Sequence, residues 1–98
     1  MAKLKIIWSN RAKIKLLQLL EFYAERNKSK TYSRKLFHTF NKELLVLSKQ
    51  PEMGIKTDIE SIRGLIVEDY ILFYEITSDS IILHLIWDSR QNPDKLVL

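Results

Sequence analysis

"SIRGLIVEDYILFYEITSDSIILHLIWD", residues 61–88, decides the fold. Three apolar runs, roughly 62–67, 70–77 and 80–88, are parted by two polar pairs, Glu68–Asp69 and Ser78–Asp79. Short runs rich in β-branched and aromatic side chains read as strands. Breaks this brief leave room for hairpins and none for crossovers. The stretch therefore predicts a three-stranded antiparallel meander. Alternation sorts its side chains. On the last strand Ile81, Leu83, Leu85 and Trp87 take the core side, while Ile82, His84, Ile86, Asp88 and then Arg90 share the other. On the middle strand Tyr70, Leu72, Tyr74 and Ile76 suit the core, and Ile71, Phe73 and Glu75 face with His84. Arg63 lies on the first of the three, where Gly64 can admit a bulge, so its face stays open.

Working upstream, "MGIKTDIE" (53–60) reads as a loop. Before it, Leu36, Phe37, Phe40, Leu44 and Leu47 recur at helical spacing, with Ser29 or Thr31 as cap and Pro51 and Gly54 as stop. A first helix covers about 10–27, opened by Ser9 or Asn10. The short break "NKSK" (27–30) makes the two an antiparallel hairpin. "KLKIIW" (3–8) alternates as a half-buried strand. The order is strand, helix, helix, strand, strand, strand. Each helix has one apolar stripe, and the sheet is what it can be buried against. The expected fold is α+β: a two-helix hairpin on one face of a four-stranded, mainly antiparallel sheet, one domain over residues 1–98. Trp8 and Trp87 are expected as core anchors, Phe22, Tyr23, Phe37 and Phe40 as helix-to-helix packing, and Tyr32 as exposed near the hairpin tip.

Charge divides the chain. Residues 1–49 hold twelve Lys or Arg against three acids, a net of +9, whereas residues 50–98 carry −5, which together make the overall +4. Such a half attracts phosphates or acidic protein by long-range steering, or simply solvates a helical surface. Its hairpin cations are Arg11, Lys13, Lys15, Arg34, Lys35 and Lys42. There is no Cys, so neither disulfides nor thiolate chemistry operate. Two His at no recognised spacing and only two Gly exclude familiar metal motifs and glycine-rich phosphate loops. No metal or cofactor is expected. The basic, apolar start lacks a cleavage pattern, and no apolar run would span a bilayer, so a soluble cytoplasmic protein with no membrane partner is expected.

In this order and length, the chain resembles the RelE/ParE family, the toxins of bacterial type II toxin–antitoxin pairs. "IIWSNRA" is similar to the family's opening strand and capped helix, and "LSKQPEMG" to its helix-end Pro and Gly. "SIRGLIVEDYILFYEI" is similar to its Arg-bearing strand, turn and Tyr-x-x-x-Tyr strand, and "IILHLIWDSRQNP" to its last strand and polar exit. The resemblance implies a complex with a cognate antitoxin and one of two activities. RelE-like members cut mRNA in the ribosomal A site; ParE-like members poison DNA gyrase.

The nuclease pattern is incomplete. RNA cleavage by 2′-hydroxyl attack needs a proton acceptor, cations for the developing phosphorane charge, and an acid for the leaving oxygen. Where RelE-like nucleases read Tyr-Arg, this chain reads Tyr70-Ile71, and it ends "DKLVL" without the nuclease Tyr. Arg63, His84 and Arg90 are the remaining catalytic candidates. His84 lacks a matched acid–base partner in the sequence and reads better as a polar surface residue. Arg63, Ile71, Phe73, Ile82, Ile86, Asp88 and Arg90 are the candidates for binding target or antitoxin. An antitoxin helix or strand would cover the apolar members of that set, and acidic antitoxin would be drawn to the basic half. The expected function is a growth-inhibiting toxin that acts by a ParE-like, non-nuclease route or on an unassigned target. A divergent mRNA endonuclease using Arg63 and Arg90, and a non-toxic antitoxin-binding remnant, are the alternatives.

Overall fold

The computed structural model describes residues 3–98. The strand β1 (Lys5–Trp8) is followed by helices α1 (Asn10–Asn27) and α2 (Thr31–Lys49), a short strand β2 (Ile55–Lys56), and the strands β3 (Ile62–Val67), β4 (Tyr70–Ile76) and β5 (Ser80–Asp88). The spatial order is β1-β5-β4-β3-β2. β3, β4 and β5 form the expected meander, and β1 joins β5 in parallel. The sheet has five strands rather than four. The extra one, β2, lies in the segment read as loop and pairs with β3 through only two positions, Ile55 with Gly64 and Lys56 with Arg63. Two residues are too few to leave an alternating pattern in the sequence.

Ser9 caps α1 as its position suggests, its Oγ accepting from the Ala12 N–H at 3.1 Å. The helix ends at Lys28, which adopts a left-handed conformation (φ 50°) and donates to the Glu25 carbonyl. The second helix has no side-chain cap bond at its Lys30 N-cap; Ser29 Oγ instead accepts from the Thr31 N–H. Leu16 and Leu19 of α1, and Leu36, Phe40, Leu44 and Leu47 of α2, bury one stripe each. They meet Leu65, Val67, Tyr70, Leu72, Tyr74, Ile81, Leu83 and Ile86 of the sheet. Phe22 and Phe37 do not join them and stay exposed. Both helices therefore cover one face only, because each carries a single apolar stripe.

The end of the helical hairpin is tied to the sheet by one phenol. Tyr74 Oη donates to the Pro51 carbonyl at 2.7 Å and accepts from the Gly54 N–H at 3.0 Å. A Cβ at Gly54 would overlap that ring, so the close approach itself requires glycine.

One irregularity rearranges the faces of the sheet. Phe73 pairs with Leu85 but Tyr74 pairs with Leu83, so His84 has no partner on β4. It is the extra residue of a β-bulge, and a bulge inverts the alternation beyond it. Gly64, which could admit a bulge, pairs regularly with Phe73. The parity expectations beyond the bulge are corrected. Ile86 sits opposite Leu72, is 1% exposed and belongs to the core, and Asp88 sits opposite Tyr70 on the helix side. Leu85 and Trp87 sit opposite Phe73 and Ile71 on the open face. Trp8 packs on the core as expected; Trp87 does not.

Candidate functional site

The open face is apolar at its centre. Cross-strand partners share a face, which places Ile66, Ile71 and Trp87 in one row and Gly64, Phe73 and Leu85 in the next. Ile82 lies between Ile7 of β1 and Glu75 of β4. Ile66 and Ile7 are exposed at 59% and 46%, and Ile71, Ile82 and Trp87 are half-buried. Of the expected apolar set, Ile71, Phe73 and Ile82 are therefore brought together here, and Ile86 is not. His84 has a partner after all: Nε2 lies 2.8 Å from Glu75 Oε1. The two face a cleft of about 410 Å³ shared with Arg11, Ile62, Leu85 and Leu98. Arg11 closes this side by donating to the Val97 carbonyl at 2.7 Å.

The cationic candidates do not assemble on that face. Arg63 stands opposite Tyr74, on the helix side, and its Nη1 donates to the Glu52 and Gly54 carbonyls at 3.2 and 3.0 Å. It fastens the loop after α2. Arg90 follows β5 on the helix side and grips Asp88 through Nε at 3.0 Å and Nη2 at 2.9 Å, while its backbone N–H also donates to that carboxylate. Asp69 lies 3.7 Å from the same guanidinium. These bonds hold the Asp88 carboxyl below the usual carboxylate range and raise the Arg90 pKa. The expected basic surface spreads over different aspects of the hairpin. Lys15 borders the Arg90 pocket, Arg34 an apolar groove between the helices, and Lys35 a shallow hollow near Glu68.

Beneath Arg90 lies a site that sequence reading missed. A pocket of about 450 Å³, within the usual range for ligand sites, opens between α1 and the exit of β5. Its floor is a pair of phenols, Tyr23 and Tyr70, whose oxygens are 2.8 Å apart. Tyr70 is 1% exposed and, among the described residues, its hydroxyl is hydrogen-bonded to Tyr23 alone, so donation by Tyr70 is the direction that satisfies its buried proton. Arg90 Nη2 reaches the same Tyr23 oxygen at 3.4 Å and can only donate. Tyr23 thus receives two bonds and keeps its own proton for the pocket. The bond from Tyr70 lowers the Tyr23 pKa, whereas burial first, then donation to Tyr23, raises that of Tyr70. Tyr23 and Tyr70 read correctly as helix and strand residues. Their meeting depends on tertiary packing and leaves no spacing signal. Among the described residues, no His, Asp and Glu side chains gather as a metal-ligand set, and no helix is long and apolar enough to cross a membrane.

Residues 6–93 match the sequence profile of a family described as the ParE toxin of the type II toxin–antitoxin system parDE. Among solved structures, the chain resembles one described as the chromosomal ParDE TA system from P. aeruginosa, with 14% identity and a TM-score of 0.73. The match covers 86% of this chain and 94% of that one, and at such identity it is a likeness of fold. No curated protein matches the chain.

Proposed function

The chain belongs to the ParE toxin family of type II toxin–antitoxin systems, and we propose that it is the growth-inhibiting member of such a pair. In this reading a cognate antitoxin holds it silent, and the free toxin poisons DNA gyrase in the cytoplasm. The observation that carries the choice of mechanism is the row Ile66, Ile71 and Trp87 on the open face. At the position where the resembling nucleases hold Arg, an isoleucine lies among other apolar groups, which offer a phosphate nothing. Arg63 and Arg90 do not replace it: both lie on the helix side, one bound to loop carbonyls and the other to Asp88. Apolar surface of this kind suits a protein partner. An antitoxin segment laid over Ile7, Ile66, Ile71, Ile82 and Trp87 would bury it as an added strand or an amphipathic helix.

The test is induced expression alone and beside a small acidic protein encoded next to this gene. Growth arrest with an SOS response, relieved by co-expression and accompanied by co-purification, is the expected outcome. Unimpaired growth would leave a binding remnant instead.

A further inference from the structure

We propose that the pocket between α1 and the β5 exit is a binding groove for a single strand of nucleic acid, its backbone phosphates held by Lys15 and Arg26 and a base stacked on Phe22. Lys15, Gln18, Phe22 and Arg26 recur at helical spacing along one face of α1, and all four border the pocket. At 1.5 Å per residue, Lys15 and Arg26 stand roughly 16 Å apart along the axis. One phosphate cannot meet both, but a strand running along the helix can.

Between the two cations the Phe22 ring is 52% exposed and lies 5.9 Å from the Arg26 guanidinium. The guanidinium lies over one face of the ring, so it can take a phosphate while a base stacks on the other. Tyr23 offers its free hydroxyl proton from the floor, and Gln18 and Gln91 add amide donors at the rim. The single carboxylate of the lining, Asp88, is occupied by three bonds from Arg90. It therefore repels an incoming phosphate far less than a bare acid would. With that pair neutral overall, Lys15 and Arg26 set the charge of the groove.

The inference does not rest on the gyrase reading. Its test uses the purified chain with no gyrase present, a labelled dT 12-mer, the corresponding duplex, a thymidine mononucleotide and a poly-glutamate peptide. Binding is followed by fluorescence anisotropy over a salt series starting at about 50 mM. The expected result is preference for the single strand. The Lys15→Ala/Arg26→Ala chain should lose roughly tenfold in affinity, and its salt slope should shrink by about 1.4, two phosphate contacts' worth. Phe22→Ala should cost about fivefold or more through lost stacking. Tyr23→Phe should weaken binding while far-UV circular dichroism stays unchanged. Lys49→Ala/Lys56→Ala, which alters charge elsewhere, should leave affinity within twofold. Equal losses in that control pair, mononucleotide affinity matching the strand, a duplex preference insensitive to Phe22→Ala, or tighter capture of poly-glutamate would each overturn the proposal.

Discussion

The Ser9 hydroxyl donates to the His84 carbonyl at 3.1 Å while accepting from the first turn of α1. Ser9 also donates its N–H to the carbonyl of Leu83. One residue thus fixes the start of the helix and the bulge of the last strand at once. Since the bulge decides which side chains of β5 face the helices, the link reaches from a helix cap to the composition of the open face.

Replacing Ser9 with Ala removes both side-chain bonds. The expected loss is about 1–2 kcal/mol, the upper part of the range for a helix cap. For a chain this size each kcal/mol lowers the Tm by roughly 4–8 °C. Ser9→Thr should retain most of the stability. A Tm for Ser9→Ala equal to that of the parent would remove Ser9 from this role.

The inverted alternation can be read directly from a pair of truncations. Ile86→Ala should cost about 2–5 kcal/mol, because Ile86 fills the core between Leu72 and the helices. Ile66→Ala, at a position 59% exposed, should stay within about 0.5 kcal/mol yet weaken antitoxin binding. Denaturant unfolding of the two chains, followed by antitoxin titration, separates the effects. Equal stability losses would place Ile86 on the surface.

Most of the architecture was legible beforehand because it is written in periodicity. The helical hairpin, the Ser9 cap and the β3–β4–β5 meander follow from apolar spacing and short polar breaks. What escaped depends on events without a local signature. The bulge at His84 arises where β1 and Ser9 meet β5, so nothing in "LHLIW" marks it. Simple alternation therefore assigns Ile86 and Asp88 to the open face and Trp87 to the core, the reverse of where the bulge puts them. Arg63 resembled a functional cation by position, but its use, holding the Glu52 and Gly54 carbonyls, required the loop's path. Tyr23 and Tyr70 are 47 residues apart and become one unit only through packing.

The junction after α2 should be intolerant of change. Gly54→Ala forces Tyr74 aside and should cost about 1–3 kcal/mol, as overpacking does. Arg63→Ala frees the same loop and should lower stability by about 1 kcal/mol. Any loss of toxicity in Arg63→Ala should therefore be recovered at reduced temperature. A stable Arg63→Ala chain that remains inactive there would return Arg63 to the functional surface.

The two phenols should titrate apart. Tyr23 should ionise below the ordinary tyrosine value of 10.0, because Tyr70 donates to its oxygen, and Tyr70 should ionise above it. Tyr70→Phe removes that donor and should move Tyr23 upward. The raised Tyr70 pKa means the folded chain holds this proton more tightly than the unfolded one. Its contribution to stability is full below pH 10 and declines as the pH rises from there toward the folded value. Ultraviolet difference titration of the parent, Tyr23→Phe and Tyr70→Phe chains checks both the order and the shift. Coincident titration of the two would contradict the proposed direction of the bond.

Gyrase poisoning is tested most directly by incubating purified toxin with DNA gyrase, ATP and plasmid, then trapping the reaction with detergent and protease. The expected result is linear plasmid that accumulates with toxin and is suppressed by prior addition of antitoxin. Intact plasmid at excess toxin, together with A-site-phased mRNA cuts in induced cells, would contradict it.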